Sequence, residues 1–184
     1  GRGKHVGLIT NDQVPDLVDT AFLTRTGATV AEVHGSCFCC NFMGFVSAIN
    51  EIRKRIEPDA IFAEPVGSCA DLAATVARPL ERQFAGVIRV APITVVVDAQ
   101  RFERILCKSP TALQSGAAYI FSKQIEEGDI LAVNKTDLIE PDFLNELSGH
   151  LQKLNSTATI VPMSVKNGKN VDAWWDLVNK VSGL

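Results

Sequence analysis

Ile130-Leu131-Ala132-Val133-Asn134-Lys135-Thr136-Asp137 is a run of four apolar residues that breaks abruptly into polar and charged ones. The apolar part reads as a buried strand, and the polar quartet as the loop at its carboxyl end. A carboxylate at Asp137 can accept two hydrogen bonds from N1–H and N2–H of guanine, a donor pair that adenine lacks. The Lys135 stem can cover the plane of a base, and the Asn134 amide can tie neighbouring loops together. Taken alone, the quartet equally suits a solvated turn and helix start, with Thr136 or Asp137 near a cap.

About 25–30 residues further on stands Val161-Pro162-Met163-Ser164-Val165-Lys166-Asn167-Gly168, again at the end of an apolar run and ahead of a helical pattern. A Ser-x-Lys turn of this kind supports a guanine base with backbone N–H groups, here from Ser164, Val165 and Lys166. The two patterns in this order are far more specific than either alone.

Outward from these motifs the chain alternates short β-branched runs with amphipathic stretches. Strands are expected at His5–Thr10, Thr29–Val33, Asp59–Ala63, Val90–Val97, Ile130–Val133 and Thr159–Pro162. Helices are expected at Phe42–Ile56, Ala70–Phe84, Thr111–Glu126, Pro141–Leu154 and Val171–Val181. This alternation predicts an α/β fold, a mostly parallel sheet with helices on both faces. With no internal repeat and no linker, residues 1–184 read as one domain. In such sheets ligands sit beyond the carboxyl ends of the strands. Asn11-Asp12, Cys37–Cys40, Glu64–Gly67, Asp98, Asn134–Asp137 and Ser164–Lys166 all fall there.

Composition narrows the partners. A net charge of −3 and no Lys/Arg-rich run argue against nucleic acid. No apolar stretch is long enough to cross a membrane, and Gly1-Arg2-Gly3-Lys4 does not open a secretion signal. Five cysteines, three of them at 37, 39 and 40, suit metal or redox chemistry in a reducing compartment better than a disulfide framework. The cytoplasm is the expected location.

Thiolates are soft ligands that favour Zn²⁺ or Cu(I) over Mg²⁺. Cys37, Cys39 and Cys40 converge only if the backbone turns sharply, and Gly35 just upstream permits that. The fourth place is then left to His34, water or a second subunit, and such an open site suits transfer of the metal. Redox chemistry and simple packing are the other readings of the trio; for Cys69 and Cys107 packing is expected. Trp174 and Trp175 read as packing residues of the last helix.

With these residues in hand, the sequence resembles the CobW/HypB/UreG group of P-loop GTPases, most closely its CobW-type members. Cys37-Phe38-Cys39-Cys40 resembles their Cys-x-Cys-Cys motif, and Gly7-Leu8-Ile9-Thr10-Asn11-Asp12 their second strand and metal-adjacent loop. Ala63-Glu64-Pro65-Val66-Gly67 resembles their Glu-x-x-Gly element, and Val96-Val97-Asp98-Ala99 the strand end that follows. The resemblance implies a GTP-binding and GTP-hydrolysing metallochaperone domain that takes GTP/GDP, Mg²⁺ and a transition metal, Zn²⁺ first, with Ni²⁺ or Co²⁺ admitted. It implies Asp12 beside Mg²⁺, and Glu64 and Gly67 sensing the γ-phosphate, although Glu64 also suits a helix N-terminal acid. The implied partners are a client metalloprotein or metal-insertion enzyme, a cobalamin-related pathway among them, and a second copy in a nucleotide-dependent homodimer. No arginine is evident as a finger, so slow turnover is expected.

Three features depart from the pattern. The Gly-x-x-x-x-Gly-Lys-Ser/Thr loop is not in these residues, so a strand, that loop and a helix are expected upstream, and the 184 residues alone are expected to be inactive. Ser36 stands where the group usually has glycine, and the chain ends at Leu184 without the extra domain of longer CobW-type proteins. The rival functions are a non-hydrolysing metal sensor or scaffold, and a thiol redox protein using the cysteine trio.

Overall fold

The computed structural model describes residues 4–12, 18–108 and 116–182. Two compact units emerge, Gly1–Cys69 and Ala70–Leu184. Each is built on a three-stranded, wholly parallel sheet.

In the first unit β1 (Val6–Asp12) lies between β2 (Thr29–His34) and β3 (Ala60–Glu64). The connections are α1 (Val18–Arg25) and α2 (Phe42–Arg55). β1 runs two residues past its expected end: Asn11 pairs with Val33 and Asp12 with His34, so they belong to the strand itself. Phe45, Val46, Ala48, Ile49 and Ile52 of α2 are buried, the spacing of one helix face. Gly7 makes this packing possible, because a Cβ there would collide with the Ile52 side chain. The helix stops at Arg55, where Ile56 turns extended.

In the second unit the order is β4 (Thr94–Asp98), β5 (Ile130–Asn134), β6 (Thr159–Pro162). α4 (Ala99–Lys108), α5 (Gly116–Glu127), α6 (Pro141–Leu154) and α7 (Val171–Ser182) accompany them. β5 is apolar on both faces because both are covered. Leu131 and Val133 join Phe102, Ile125, Leu147 and Leu151 in one core cluster. Ile130 packs with Val161, Val178 and Trp174 in another. Trp174 also donates its indole N–H to Thr94 Oγ1 at 3.2 Å, and both tryptophans are partly buried, as packing residues are.

Three expectations need correction. β4 begins at Thr94, not Val90, since Pro92 has no N–H to give a ladder. The single helix over 70–84 is a π-helical turn, Ala73–Ala77, running into α3 (Arg78–Gln83). Pro79 cannot donate one helical turn back, and the Arg78 N–H bonds instead to Ala73, five residues earlier. Helices α1 and α4 were not expected; α4 starts with no break after β4. The helix expected over 111–126 is seen from Gly116, and residues 111–115 lie outside those described.

Candidate functional site

Two groups of expected residues come together, one in each unit. In the second unit, the loops after β5 and β6 are joined by side chains. Asn134 Oδ1 accepts the N–H of Lys135 at 2.8 Å and of Val165 at 3.1 Å. Thr136 donates its hydroxyl to Met163 O at 3.0 Å. Lys135 takes a left-handed conformation, φ 64°, which turns the chain into the short 3₁₀ segment Thr136–Leu138. Its ammonium reaches back to Asp98 Oδ2 at 2.6 Å, and Asp98 Oδ1 accepts the Arg101 N–H at 3.0 Å as α4 begins. Asp98 thus ties its strand end to the loop after β5.

Ser164 is fully buried and holds Asp137. Its hydroxyl hydrogen-bonds the Asp137 carboxylate, and its oxygen accepts the Asn167 N–H at 3.3 Å. That hydrogen bond, aided by the Lys166 charge, keeps the exposed Asp137 carboxyl below the usual carboxylate range. For Asp98, burial works to raise the pKa, but the Lys135 and Arg101 interactions outweigh it and the net shift is downward. Asn134, Lys135, Asp137, Leu138, Ser164 and Lys166 line a cavity of about 220 Å³. A drug-sized ligand needs about 300–1,000 Å³, so the hollow is smaller than a site for a whole nucleotide. Asp137 presents an ionised acceptor at its rim, as recognition of paired N–H donors requires.

One expectation changes in kind. The Val165 N–H is committed to Asn134. Val165 therefore serves by locking the turn, and its N–H does not face a ligand. Leu138, half-exposed on the cavity wall, was not singled out; an apolar residue one place after Asp137 was the signal for it.

In the first unit the second group forms at the end of β2. Gly35 has φ +83°, a conformation glycine favours, and the chain reverses. Asn11, from the neighbouring strand, donates through Nδ2 to Val33 O and Ser36 O, both at 2.9 Å, and fixes the start of the loop. The N–H groups of Cys40 and Asn41 both bond to Cys37 O, at 3.0 and 2.9 Å. Phe38, 2% exposed, plugs the loop into the core and stacks on Phe45 with centroids 4.3 Å apart. Asn41 caps α2 by accepting the Gly44 N–H at 3.0 Å. The alternating pattern is thereby explained: Phe38 points inward and leaves Cys37 and Cys39 on the same side.

The Cys37 and Cys39 sulfurs are 2.8 Å apart, and Cys39 and Cys40 are 3.9 Å apart. All three lie within 4.8 Å of one another, the one group of potential metal ligands among the described residues. Thiolates bound tetrahedrally at 2.3 Å stand about 3.8 Å from each other, so small side-chain rotations bring the trio onto one ion. The hydrogen bond with Cys39 lowers the Cys37 pKa to about 7, which supplies thiolate near neutral pH. Hydrogen bonds with Cys37 and then Cys39 push Cys40 up to about 11. His34 stays outside the cluster, its Nε2 3.6 Å from Glu32 Oε2. Cys69 is buried, as expected of a packing cysteine, and that burial first, with the charges of the neighbouring cysteines, pushes its thiol up. The Cys107 side chain lies outside the described residues, as does that of Asp12.

Glu64 closes β3 and is exposed, and so is Gly67. Gly67 has neither a positive φ nor a neighbour within 4 Å of where a Cβ would stand. Neither strain nor crowding in the chain calls for glycine there. No helix among the described residues is long and apolar enough to cross a membrane.

Comparison with solved structures agrees on the fold. The chain is similar to the hydrogenase maturation factor HypB from Archaeoglobus fulgidus, with a TM-score of 0.56 and 16% identity over 97% of this chain and 76% of that one. HypB from Helicobacter pylori, solved in complex with nickel, gives 0.68 and 14% identity over 98% and 75%. The Zn(II)-bound YjiA GTPase from E. coli gives 0.57 and 15% over 99% of this chain, which spans about half (54%) of YjiA. These likenesses establish an α/β fold of the P-loop NTPase type. A family model described as CobW/HypB/UreG, nucleotide-binding domain, matches residues 1–162, and the chain belongs to that family.

Proposed function

We propose that this chain works as one guanine-nucleotide domain, binding GTP or GDP and passing a thiolate-bound transition metal to a client metalloprotein or metal-insertion enzyme. The observation that carries this reading is the convergence of Cys37, Cys39 and Cys40 within 4.8 Å, in a chain that also forms the Asn134–Asp137 hollow. Asp137 selects guanine by accepting its two N–H donors, while Lys135 and Leu138 flank the base. Asn134, Ser164, Val165 and Lys166 hold Asp137 and the base-side turn in place.

Cys37, Cys39 and Cys40 hold the metal, which is cargo rather than a resident cofactor. Zn²⁺ fits the all-sulfur donors best, with Ni²⁺ and Co²⁺ next. Asp12 and Glu64 are the carboxylates assigned to Mg²⁺ and its water shell, and Gly67 the γ-phosphate contact. When bound, Mg²⁺ neutralises charge on the phosphates during hydrolysis. The cysteine loop follows β2 and Glu64 ends β3, so both leave the same end of one parallel sheet on either side of β1. That placement supports coupling of metal affinity to nucleotide state, and with it a nucleotide-dependent homodimer that shares the metal.

The test is binding of guanosine against adenosine, followed by NMR, with Zn²⁺ affinity measured by chelator competition on the same chain. Preference for guanosine and cysteine-dependent zinc binding support the reading. Equal response to both nucleosides, or zinc binding that ignores the cysteines, overturns it.

A further inference from the structure

The turn that leads into the cysteines is clamped by one side chain from the neighbouring strand. Gly35 has φ +83° and nothing within 4 Å of where a Cβ would stand, so local sterics leave the loop free to swing about it. Asn11, near the end of β1, directs both hydrogens of its Nδ2 at this turn. One goes to Val33 O before Gly35 and one to Ser36 O after it, each at 2.9 Å. Ser36 O belongs to the planar peptide unit from which Cys37 hangs. The bonds on the other side of Cys37, from the N–H groups of Cys40 and Asn41 to its carbonyl, come from within the loop and the start of α2. Asn11 supplies the link from the sheet. Packing alone does not account for an asparagine at this place. Asn11 is 9% exposed and shares a face of β1 with the buried Ile9 and with Gly7, which meets Ile52 of α2. An apolar side chain would suit that face. The Asn11 Oδ1 is buried without a hydrogen-bond partner among the described residues, an unfavourable arrangement that an apolar residue would avoid.

We propose that Asn11 is a positioning residue for the metal: it sets where the Cys37 sulfur stands, and thereby the affinity of the cysteine loop for its ion, without touching the ion itself. A loop free to swing about Gly35 must lose that freedom when three sulfurs close on one ion. A loop already clamped on both sides of Gly35 loses less, and the difference appears as affinity. By linkage the effect runs both ways: if the Asn11–Ser36 bond favours metal binding, bound metal favours the bond. The inference rests on the metal reading given above and adds to it a residue outside the Cys-x-Cys-Cys motif.

Co²⁺ is the probe, because its ligand-field bands report the geometry around the ion and its charge-transfer bands report the thiolates. Asn11→Asp and Asn11→Leu keep nearly the shape of asparagine and lack its N–H₂ group. Gly7→Ala, which strains the packing of α2 on β1, is the control for damage to the fold. The three variants are titrated beside wild type under reducing conditions, after circular dichroism has shown that they are folded. The expected result is an affinity about 10–100-fold weaker in each Asn11 variant, the usual cost of losing a supporting partner at a metal site, with altered ligand-field bands. Gly7→Ala keeps the wild-type affinity and spectrum. Unchanged affinity and spectrum in the Asn11 variants, or an equal loss in Gly7→Ala, overturns the positioning role and leaves the metal reading standing. No binding by wild type overturns both. Should the Asn11 variants not fold, hydrogen exchange of the Asn11 Nδ2 protons in wild type decides. Exchange slowed by Zn²⁺ supports the proposal, and exchange that zinc binding leaves unmoved contradicts it.

Discussion

The side-chain oxygen of Asn134 accepts the backbone N–H of Val165, 31 residues away along the chain, while also accepting that of Lys135. One amide thus sets the separation of the two loops that form the cavity. Asn134→Ala removes both bonds and is expected to cost about 1–2 kcal/mol of stability in urea unfolding. Guanosine binding weakens with it. Asn134→Asp keeps the acceptor and is expected to recover most of the stability. Equal losses in the two variants would show that the oxygen is not what joins the loops.

Asp137 meets solvent on one side and the Ser164 hydroxyl on the other. Replacing it with asparagine puts an N–H₂ where guanine needs an acceptor and xanthine offers a carbonyl. Asp137→Asn is expected to lower guanosine binding about tenfold or more, since each unmatched polar contact is costly, and to raise xanthosine binding. The check is a binding series over the two nucleosides. Retained guanosine preference would remove Asp137 from base recognition.

The Asp98–Lys135 pair gives a pH dependence with a definite sign. The folded Asp98 carboxyl titrates below its ordinary value of 3.8. A depressed carboxyl stabilises the fold above the unfolded pKa, and that contribution is lost as pH falls through the lower folded value. Asp98 is about a third exposed (34%) and Lys135 half-exposed, so solvent screens the pair and its worth stays below about 1 kcal/mol. Asp98→Asn is therefore expected to be slightly less stable than wild type near neutral pH. The two melting curves should converge in acid once the pH falls below the depressed folded value. A gap that persists or grows in acid contradicts the assignment.

How far the sequence carried the reading differs between the two sites. The base-side residues were legible because each stands beside a strand end, and the strands announce themselves by apolar runs such as Ile130–Val133. The trio was legible from spacing alone. What spacing did not reveal was contact across the fold. Asn11 was marked as a strand-end group, yet its role in pinning Ser36 depends on β1 lying beside β2. Helix α4 was missed for a different reason: it opens at Ala99, directly after Asp98, so no loop residues separate it from the strand.

Two glycines allow a folding role to be tested against the ligand role proposed for Gly67. Gly7 faces Ile52 with no room for a methyl group, and Gly67 faces open space. Gly7→Ala is expected to destabilise by about 1–3 kcal/mol through overpacking of α2 on β1. Gly67→Ala is expected to change stability by less than about 0.5 kcal/mol, as for an open surface site. Thermal melts of the two variants check this directly. A large loss in Gly67→Ala would mean that glycine there serves the fold, and would remove the case for close approach by a phosphate.

The central claim is that the cysteine loop binds a transition metal, and a Zn²⁺ titration against a competing chelator tests it most directly. The reduced wild-type chain is compared with the Cys37→Ser/Cys39→Ser/Cys40→Ser variant. The account predicts tight binding by wild type that disappears in the variant, with protons released as zinc enters. Equally weak binding by both chains would contradict it, leaving a nucleotide-binding family member whose clustered thiols serve packing or redox chemistry.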